Sequence, residues 1–353
     1  MNGELVAALE QLERERGVSK ERLVEAIEAA LISAYRRNFG SSQSVRVEVD
    51  PRTGGVRVFS RRTVVEQVED PRQEVAVEEA RTKDPSYQVG DVLETEVTPR
   101  EFGRIAAQTA KQVVLQKIRE AERGMIYEEF SGREGDIVTG VVHRHEHRNV
   151  MIDLGKTEGV LPPSEQIPGE VYRQGDRLKS YVLEVRKTTK GPQIVLSRTH
   201  PGLLKRLFEL EVPEIHDGIV EIKGIAREAG SRSKVAVYCR DPDVDAIGAC
   251  VGPKGMRVQA IVNELRGEKL DIIRWDVDPE IYVANALSPA RAIRVYCDEE
   301  THVASVVVPD YQLSLAIGRE GQNARLAAKL TGWKVDIKGE SQAQGGEEPL
   351  APV

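Results

Sequence analysis

The residues whose types and spacing most suggest chemistry are glycines. The stretch IGACVGPKGMRVQAIVNEL, residues 247–265, sets Gly252, Pro253, Lys254 and Gly255 between an apolar turn and an apolar-periodic helix. A helix that opens from such a loop presents unpaired backbone N–H groups and the positive end of its dipole, which suits a phosphate. Glycine permits a close approach, because a Cβ would hold the backbone off the ligand. Pro253 lacks an N–H, so contact there is expected through shape, Lys254 and neighbouring amides. A single copy would be weak evidence, since Gly-x-x-Gly also joins helices for steric reasons alone. The pattern recurs, however. AIGACVGPKG and SLAIGREG align Gly252 with Gly318 and Gly255 with Gly321, and LDII (270–273) aligns with VDIK (335–338) after one extra residue in the first copy. Two tandem copies of one backbone-clamping unit are expected.

The elements that must position these loops read as helix (202–213), strand (218–227), strand (234–239), helix (244–251), loop (252–255), helix (256–266) and strand (269–274). That order is similar to a type II KH module, whose Gly-x-x-Gly loop clamps about four nucleotides of single-stranded nucleic acid. The candidate RNA-binding residues are Gly252, Pro253, Lys254, Gly255 and Arg257 in the first copy, and Gly318, Arg319, Gly321 and Arg325 in the second. The loops are unequal: Lys254 offers a cation to the phosphate path, whereas Glu320 beside Arg319 should repel phosphate.

Upstream, residues 131–200 break into short strand-like runs at 137–142, 149–154, 158–161, 177–186 and 193–197. Five short strands in so short a segment fit a small closed barrel of the oligonucleotide-binding class, and the segment resembles an S1 domain. Val150 and Ile152 are read onto the face over which RNA usually crosses, so stacking there should be sparse. The polar candidates are His143, Arg144, His147, Arg148, Arg186 and Lys187, and weak RNA contact is expected. His143, His145 and His147 share a face if extended, but no cysteine or matched fourth ligand accompanies them, so a polar hairpin tip is preferred to a metal site. No metal or other cofactor is expected.

Other chemistries find no support. No Ser/His/Asp set, paired-carboxylate pocket or Walker loop is visible, so no catalytic residue is assigned. Cys239, Cys250 and Cys297 are odd in number, form no CxxC pair, and read as small buried residues. Asp241, Asp243 and Asp245 read as a capping and solvated segment. The formal net charge of −7 argues against holding nucleic acid by bulk electrostatics, and residues 126–200 balance 11 Lys+Arg against 11 Asp+Glu. No run is long and apolar enough for a membrane span and the opening MNGELVAALEQLERERG is unlike a secretory signal, so a cytoplasmic protein without membrane contact is expected.

The head, residues 1–130, reads as α+β. A helical pair over 4–38 is interrupted near Gly17, with Ser19 able to cap the second helix. A hairpin follows in SVRVEVDPRTGGVRVF, RRTVVEQV adds strand, and one long helix from about Pro99 carries an apolar stripe through Ile105, Ala106, Thr109, Val113, Leu115 and Ile118. The expected architecture is multidomain α+β: a head (1–130), an S1 barrel (131–200), first and second KH domains (201–277 and 278–340) and a polar, disordered tail (341–353).

That order resembles the NusA family of bacterial transcription elongation, termination and antitermination factors. The strings that carry the resemblance are FGRIAAQTAKQVVLQKIREAER, IVLSRTHPGLLKRLFELEVPEIHDG, NELRGEKLDII and LAIGREGQNARLAAKLTGWKVDI, and it extends over about residues 1–340. The sequence ends soon after the second KH unit, so autoinhibition by the acidic C-terminal repeats of some relatives is not expected. The resemblance implies a non-enzymatic, monomeric regulator whose partners are RNA polymerase, nascent single-stranded RNA and other antitermination factors. It places polymerase binding on the head, with Arg104, Lys111 and Lys117 as candidates. Two alternatives are a ribosome-associated or RNA-processing KH/S1 protein and a component of a phosphorolytic exoribonuclease; for the latter, the ~125 residues before the barrel leave too little chain for a catalytic core.

Overall fold

The computed structural model describes residues 19–39 and 44–344, together with residues 7, 13 and 14, and the chain divides into two units, residues 1–125 and 126–353. Apart from residues 7, 13 and 14, which are helical, the expected first helix of the head lies outside the described residues.

In the first unit, α1 (Lys20–Phe39) starts where the Ser19 hydroxyl accepts from the Arg22 N–H. Its Leu23, Ile27, Leu31 and Tyr35, at helical spacing, pack against Val45, Val47 and Val49 of β1 (Ser44–Val49) and Val58 of β2 (Val56–Val65). β1 and β2 form the expected antiparallel hairpin. Sequence reading left residues 74–96 unassigned, and they supply β3 (Glu74–Ala76), α2 (Val77–Lys83) and β4 (Val92–Glu96). β3 pairs parallel with the end of β2, β4 pairs antiparallel with its middle, and Val64, Val75, Ala80 and Leu93 make a second small core. The long helix is α3 (Phe102–Ser131). Its buried stripe runs through Phe102, Ala106, Ala110 and Val114, while Leu115, expected on that stripe, is 44% exposed. The correction follows from period 3.6, which puts 102, 106, 110 and 114 on one side and rotates 115 away.

In the second unit, β5 (Ile137–Glu146), β6 (Asn149–Asp153), β7 (Glu158–Leu161), β8 (Arg177–Thr188) and β9 (Gly191–Ser197) close into a barrel in the order β5-β6-β7-β9-β8. Phe130, Val150, Ile152, Leu161, Val182, Ile194 and Leu196 fill its core.

Two units of the same build follow. The first has α4 (Pro201–Glu211), the short α5 (Pro213–His216), β10 (Val220–Glu228), β11 (Arg232–Cys239), α6 (Ala246–Val251), α7 (Met256–Glu264) and β12 (Lys269–Arg274). The second has α8 (Pro279–Ala286), β13 (Arg294–Asp298), β14 (Val303–Val308), α9 (Leu313–Ile317), α10 (Gln322–Thr331) and β15 (Lys334–Gly339). In both sheets the first two strands are antiparallel and the last two parallel. The chain then continues into α11 (Glu340–Gln344), so the first residues read as tail are helical; the Ser341 hydroxyl donates to Asp310 Oδ1, which ties this turn to the second unit. Residues 345–353 lie outside the described residues. Of the cysteines, Cys250 is buried, but Cys239 and Cys297 are only partly so.

Candidate nucleic-acid interface

The two Gly-x-x-Gly turns have one backbone conformation. α6 ends at Gly252 (φ 73°, ψ 173°), Lys254 is left-handed (φ 51°, ψ 25°), and Gly255 (φ 75°) leads into α7. α9 ends at Gly318 (φ 77°, ψ 171°), Glu320 is left-handed (φ 53°, ψ 27°), and Gly321 (φ 73°) leads into α10. The repeat seen in the sequence is therefore a repeat of geometry, including a non-glycine residue held at positive φ in each loop, a conformation that costs free energy and collects at ligand sites. The glycines serve two purposes. A Cβ on Gly252 would lie 2.6 Å from Cγ of Arg257, and one on Gly318 only 2.8 Å from the Asn323 backbone nitrogen, so the first glycine of each loop lets the following helix close on it. Beside Gly321 a Cβ would meet nothing within 4 Å, which leaves that side of the turn open to a ligand.

Around the loops the charges differ. Lys254 is exposed and has no ion-pair partner among the described residues. Arg319 and Glu320 are both largely in solvent, with Arg319 Nε 3.7 Å from Glu320 Oε1. Arg257 turns inward: its Nη1 donates to Glu214 Oε2 at 2.9 Å and to the Ala249 carbonyl at 2.6 Å. Arg325 donates from Nε to Glu228 Oε1 at 2.6 Å and from Nη1 to the Glu320 carbonyl at 3.1 Å. Both arginines thus brace the loops from behind, a commitment that spacing alone does not reveal.

On the barrel, β5 runs on through Glu146, and the hairpin tip is only His147-Arg148, at φ 47° and 71°. His143 and His145 therefore belong to the strand, with an irregularity in register between Val142 and Arg144. His143 Nδ1 lies 2.7 Å from Glu158 Oε1, Arg144 also bonds Glu158, and Arg186 bonds Glu184. The Arg144 hydrogen bond, and then that of His143, hold the Glu158 carboxyl below the usual carboxylate range. Among the described residues no group of three or more His, Cys, Asp or Glu side chains could hold a metal ion. Val150 and Ile152 point into the core, contrary to the face assigned from the sequence. Alternation separates two faces of a strand but does not say which is inside. The outward residues are Asn149, Met151 and Asp153, and Met151 lines an open cleft of about 620 Å³ with Val160, Pro192 and Gln193.

What joins the barrel to the KH units is a set of buried ion pairs that sequence reading did not identify. Arg198, fully buried, donates from Nη2 to Glu170 at 2.7 Å and to the Glu264 carbonyl at 3.1 Å, and from Nη1 to the Lys179 carbonyl at 2.8 Å. Arg227 pairs with the buried Glu268 at 2.9 Å and donates to the His200 carbonyl, fixing the junction before α4. Between the KH units, the buried Lys234 ammonium donates to Asp271 at 3.1 Å and to the Ser288 carbonyl at 2.7 Å. Burial pushes the Lys234 pKa down. Burial also opposes ionisation of Asp271, yet the Arg232 hydrogen bond and the Lys234 charge outweigh it and keep that carboxyl low. Gln322 and Arg325 of the second unit both bond Glu228 of the first. Side chains from all three modules are thus shared across their boundaries.

In the separate first unit, Arg104 and Lys111 are exposed nearly two turns apart on one side of α3. Lys117 lies nearer the buried stripe, half-buried and 2.7 Å from Glu120, so the three do not form one patch.

Comparison with known proteins agrees with this division. The NusA N-terminal domain matches residues 4–124, the S1 RNA binding domain 132–197, and the NusA-like first and second KH domains 198–275 and 279–345. The transcription termination/antitermination protein NusA of Halalkalibacterium halodurans is 63% identical over 344 residues, 98% of this chain and 90% of that protein. The Bacillus subtilis protein of the same name is 62% identical over 344 residues, 98% and 93% of the two chains. The solution structure of the N-terminal domain of the B. subtilis protein is 61% identical and covers 35% of this chain and 99% of its own, with a TM-score of 0.33. With four modules in this order and such identity over nearly its whole length, the chain belongs to the NusA family of transcription termination/antitermination proteins.

Proposed function

We propose that the chain is a cytoplasmic, monomeric, non-enzymatic transcription factor whose head engages RNA polymerase while the barrel and both KH units hold nascent single-stranded RNA, modulating pausing, termination and antitermination together with other antitermination factors. The observation that carries this reading is the pair of Gly-x-x-Gly turns with matching backbone geometry, joined to an S1 barrel through buried ion pairs. A module repeated with its geometry intact suits a repeating polymer, because each copy takes a few nucleotides of the same strand.

The net charge of −7 fits a tethered role. A factor held on polymerase meets the emerging transcript at high effective concentration and can act with weak intrinsic RNA affinity. In the head, Arg104 and Lys111 are the residues favoured for polymerase contact, since they share an exposed helix face; Lys117 is less favoured because Glu120 already takes its charge.

The test is crosslinking of the full chain to purified RNA polymerase carrying an RNA in the exit channel, paired with a pausing assay. Head-to-polymerase and loop-to-RNA crosslinks together with a changed pause lifetime are expected. Cofractionation with ribosomes and no effect on pausing would overturn the reading.

A further inference from the structure

The two KH units pack head to tail, and among the described residues of the KH units the joint leaves one sheet face uncovered. In the first unit, the face of the sheet turned away from its own helices carries Gly224 and Ala226 of β10, Lys234 and Ala236 of β11, and Ile273 of β12. Helices α8 and α10 of the second unit cover it: Ala226, Lys234, Ala236 and Ile273 are all at most 3% exposed, and a Cβ on Gly224 would meet Leu330 at 3.4 Å and the Tyr282 hydroxyl at 3.6 Å. Small residues on this face admit the helices.

The same face of the second unit has a different chemistry. Aligning Asp271 with Asp336 and following the pairing across each sheet places Arg294 where the first unit has Gly224 and Tyr296 where it has Ala226. Ser305 stands for Lys234, Val307 for Ala236 and Lys338 for Ile273. Val295, Cys297, Val335 and Ile337 face the second unit's core, so the alternate positions face out. Tyr296 is 63% exposed, and its ring makes no aromatic or cation–π contact among the described residues. Arg294 and Lys334 are exposed without an ion-pair partner among the described residues, and Lys338 is 3.3 Å from Asp336. An arginine and a tyrosine in place of glycine and alanine remove the flat bed that a helix needs, so the face is unsuited to stacking a second copy of the unit. The unengaged ring offers a base a surface to stack on, with Arg294 two residues away on its strand and Lys334 and Lys338 on the third strand as cations for the phosphates, set against the carboxylates of Asp336 and Asp298 on the same face.

We propose that this open sheet face, built on Arg294, Tyr296, Ser305 and Lys338 with Lys334 at its edge, is a further binding site for single-stranded RNA, separate from the Gly-x-x-Gly loops. One base stacks on Tyr296, and the adjoining phosphates meet Arg294 on one side and Lys334 on the other, with Lys338, paired to Asp336, as the weaker contact. The proposal rests on the reading of the chain as an RNA-binding factor and adds a contact beyond the loops. RNA long enough to leave the second loop gains this site, while RNA that fills only one loop does not.

The test uses the full chain and unstructured single-stranded RNAs of about 5 and about 20 nucleotides, spanning one loop or several contacts. Tyr296→Ala and the double variant Arg294→Glu, Lys338→Glu are compared with Lys254→Asp at fixed salt. The expected result is at least a fivefold loss for the long RNA with Tyr296→Ala, the lower end of what one stacked base contributes. A larger loss is expected for the double variant, with the short RNA unaffected by either. Crosslinking of 4-thiouridine in the long RNA to the β13 peptide is expected in the unaltered chain and not in Tyr296→Ala. Unchanged long-RNA affinity in the face variants while Lys254→Asp loses binding would overturn this site and leave the proposed function standing. No loss in any of the variants would overturn both. Loss of polymerase capture with RNA affinity intact would assign the face to a protein partner and likewise overturn the proposal. All of the substituted side chains are exposed, and an unchanged melting curve checks the fold.

Discussion

At the scale of single residues the two loops differ by one charge. Lys254 and Glu320 occupy the same left-handed position, so they aim into equivalent places with opposite sign. Lys254→Asp is therefore expected to weaken single-stranded RNA binding on the order of tenfold at low salt, since phosphate contacts dominate such affinity. Arg319→Asp should cost less, because Glu320 already offsets that charge. Glu320→Lys should tighten binding by an amount that shrinks as salt screens it. Fluorescence-anisotropy titrations across a salt series check all three; equal losses for the first two would refute the asymmetry between the loops, and no tightening for the third would show that Glu320 points away from the RNA and the second loop is a helix turn and not a clamp. Lys254 was legible as a candidate because an exposed cation in a glycine loop needs no tertiary knowledge. The roles of Arg257 and Arg325 were not, since their partners Glu214 and Glu228 lie 43 and 97 residues away.

At the scale of elements, each loop depends on how closely its helix follows. Gly318→Ala would press a Cβ against the backbone of Asn323, which cannot rotate aside, whereas Gly321→Ala meets only the strain of positive φ. The second is expected to cost about 1 kcal/mol and the first clearly more. Thermal melting of the two variants orders them. The joint between the KH units carries its own pH dependence. The Arg325 hydrogen bond holds the Glu228 carboxyl below its ordinary value of 4.5, with burial opposing and Gln322 assisting. A carboxyl lowered by folding stabilises the folded state above its unfolded value and loses that contribution as the pH falls through the folded one. The joint should therefore be intact near neutrality and loosen below about pH 4.5, seen as faster hydrogen exchange in α10. Glu228→Gln should flatten that dependence; an unchanged profile would place the acid-sensitive contact elsewhere.

At the scale of the whole molecule, buried charges decide how the RNA-facing modules are held together. Arg198 is fully buried between Glu170 of the barrel segment and Glu264 at the end of α7. Arg198→Ala removes the fully buried cation, while Glu170, itself only 3% exposed, keeps Arg266 Nε at 3.1 Å and the Tyr172 hydroxyl, so a loss below the about 3–5 kcal/mol of a wholly unpaired buried charge is expected. Denaturant unfolding measures it. Long-RNA affinity should fall further than short-RNA affinity, because contacts no longer held at fixed spacing lose their mutual advantage. Equal losses for both lengths would mean that the modules bind independently.

Local periodicity and composition determined the kinds of element, the five strands of the barrel and the tandem units with their glycine turns. These features arise from steric and hydrophobic preferences acting within a few residues of chain, so one sequence is enough to read them. Only the tertiary structure decided that Val150 and Ile152 face the barrel core, that residues 74–96 complete the head's sheet, and that Arg198, Arg227 and Lys234 sit buried as ties between modules. It also decided that one KH sheet face is covered while its counterpart is open among the described residues of the KH units. Burial and ion pairing depend on which distant segments meet, and a side chain's charge alone does not say whether it ends in water, on a phosphate or against a carboxylate 66 residues away, as Arg198 does with Glu264.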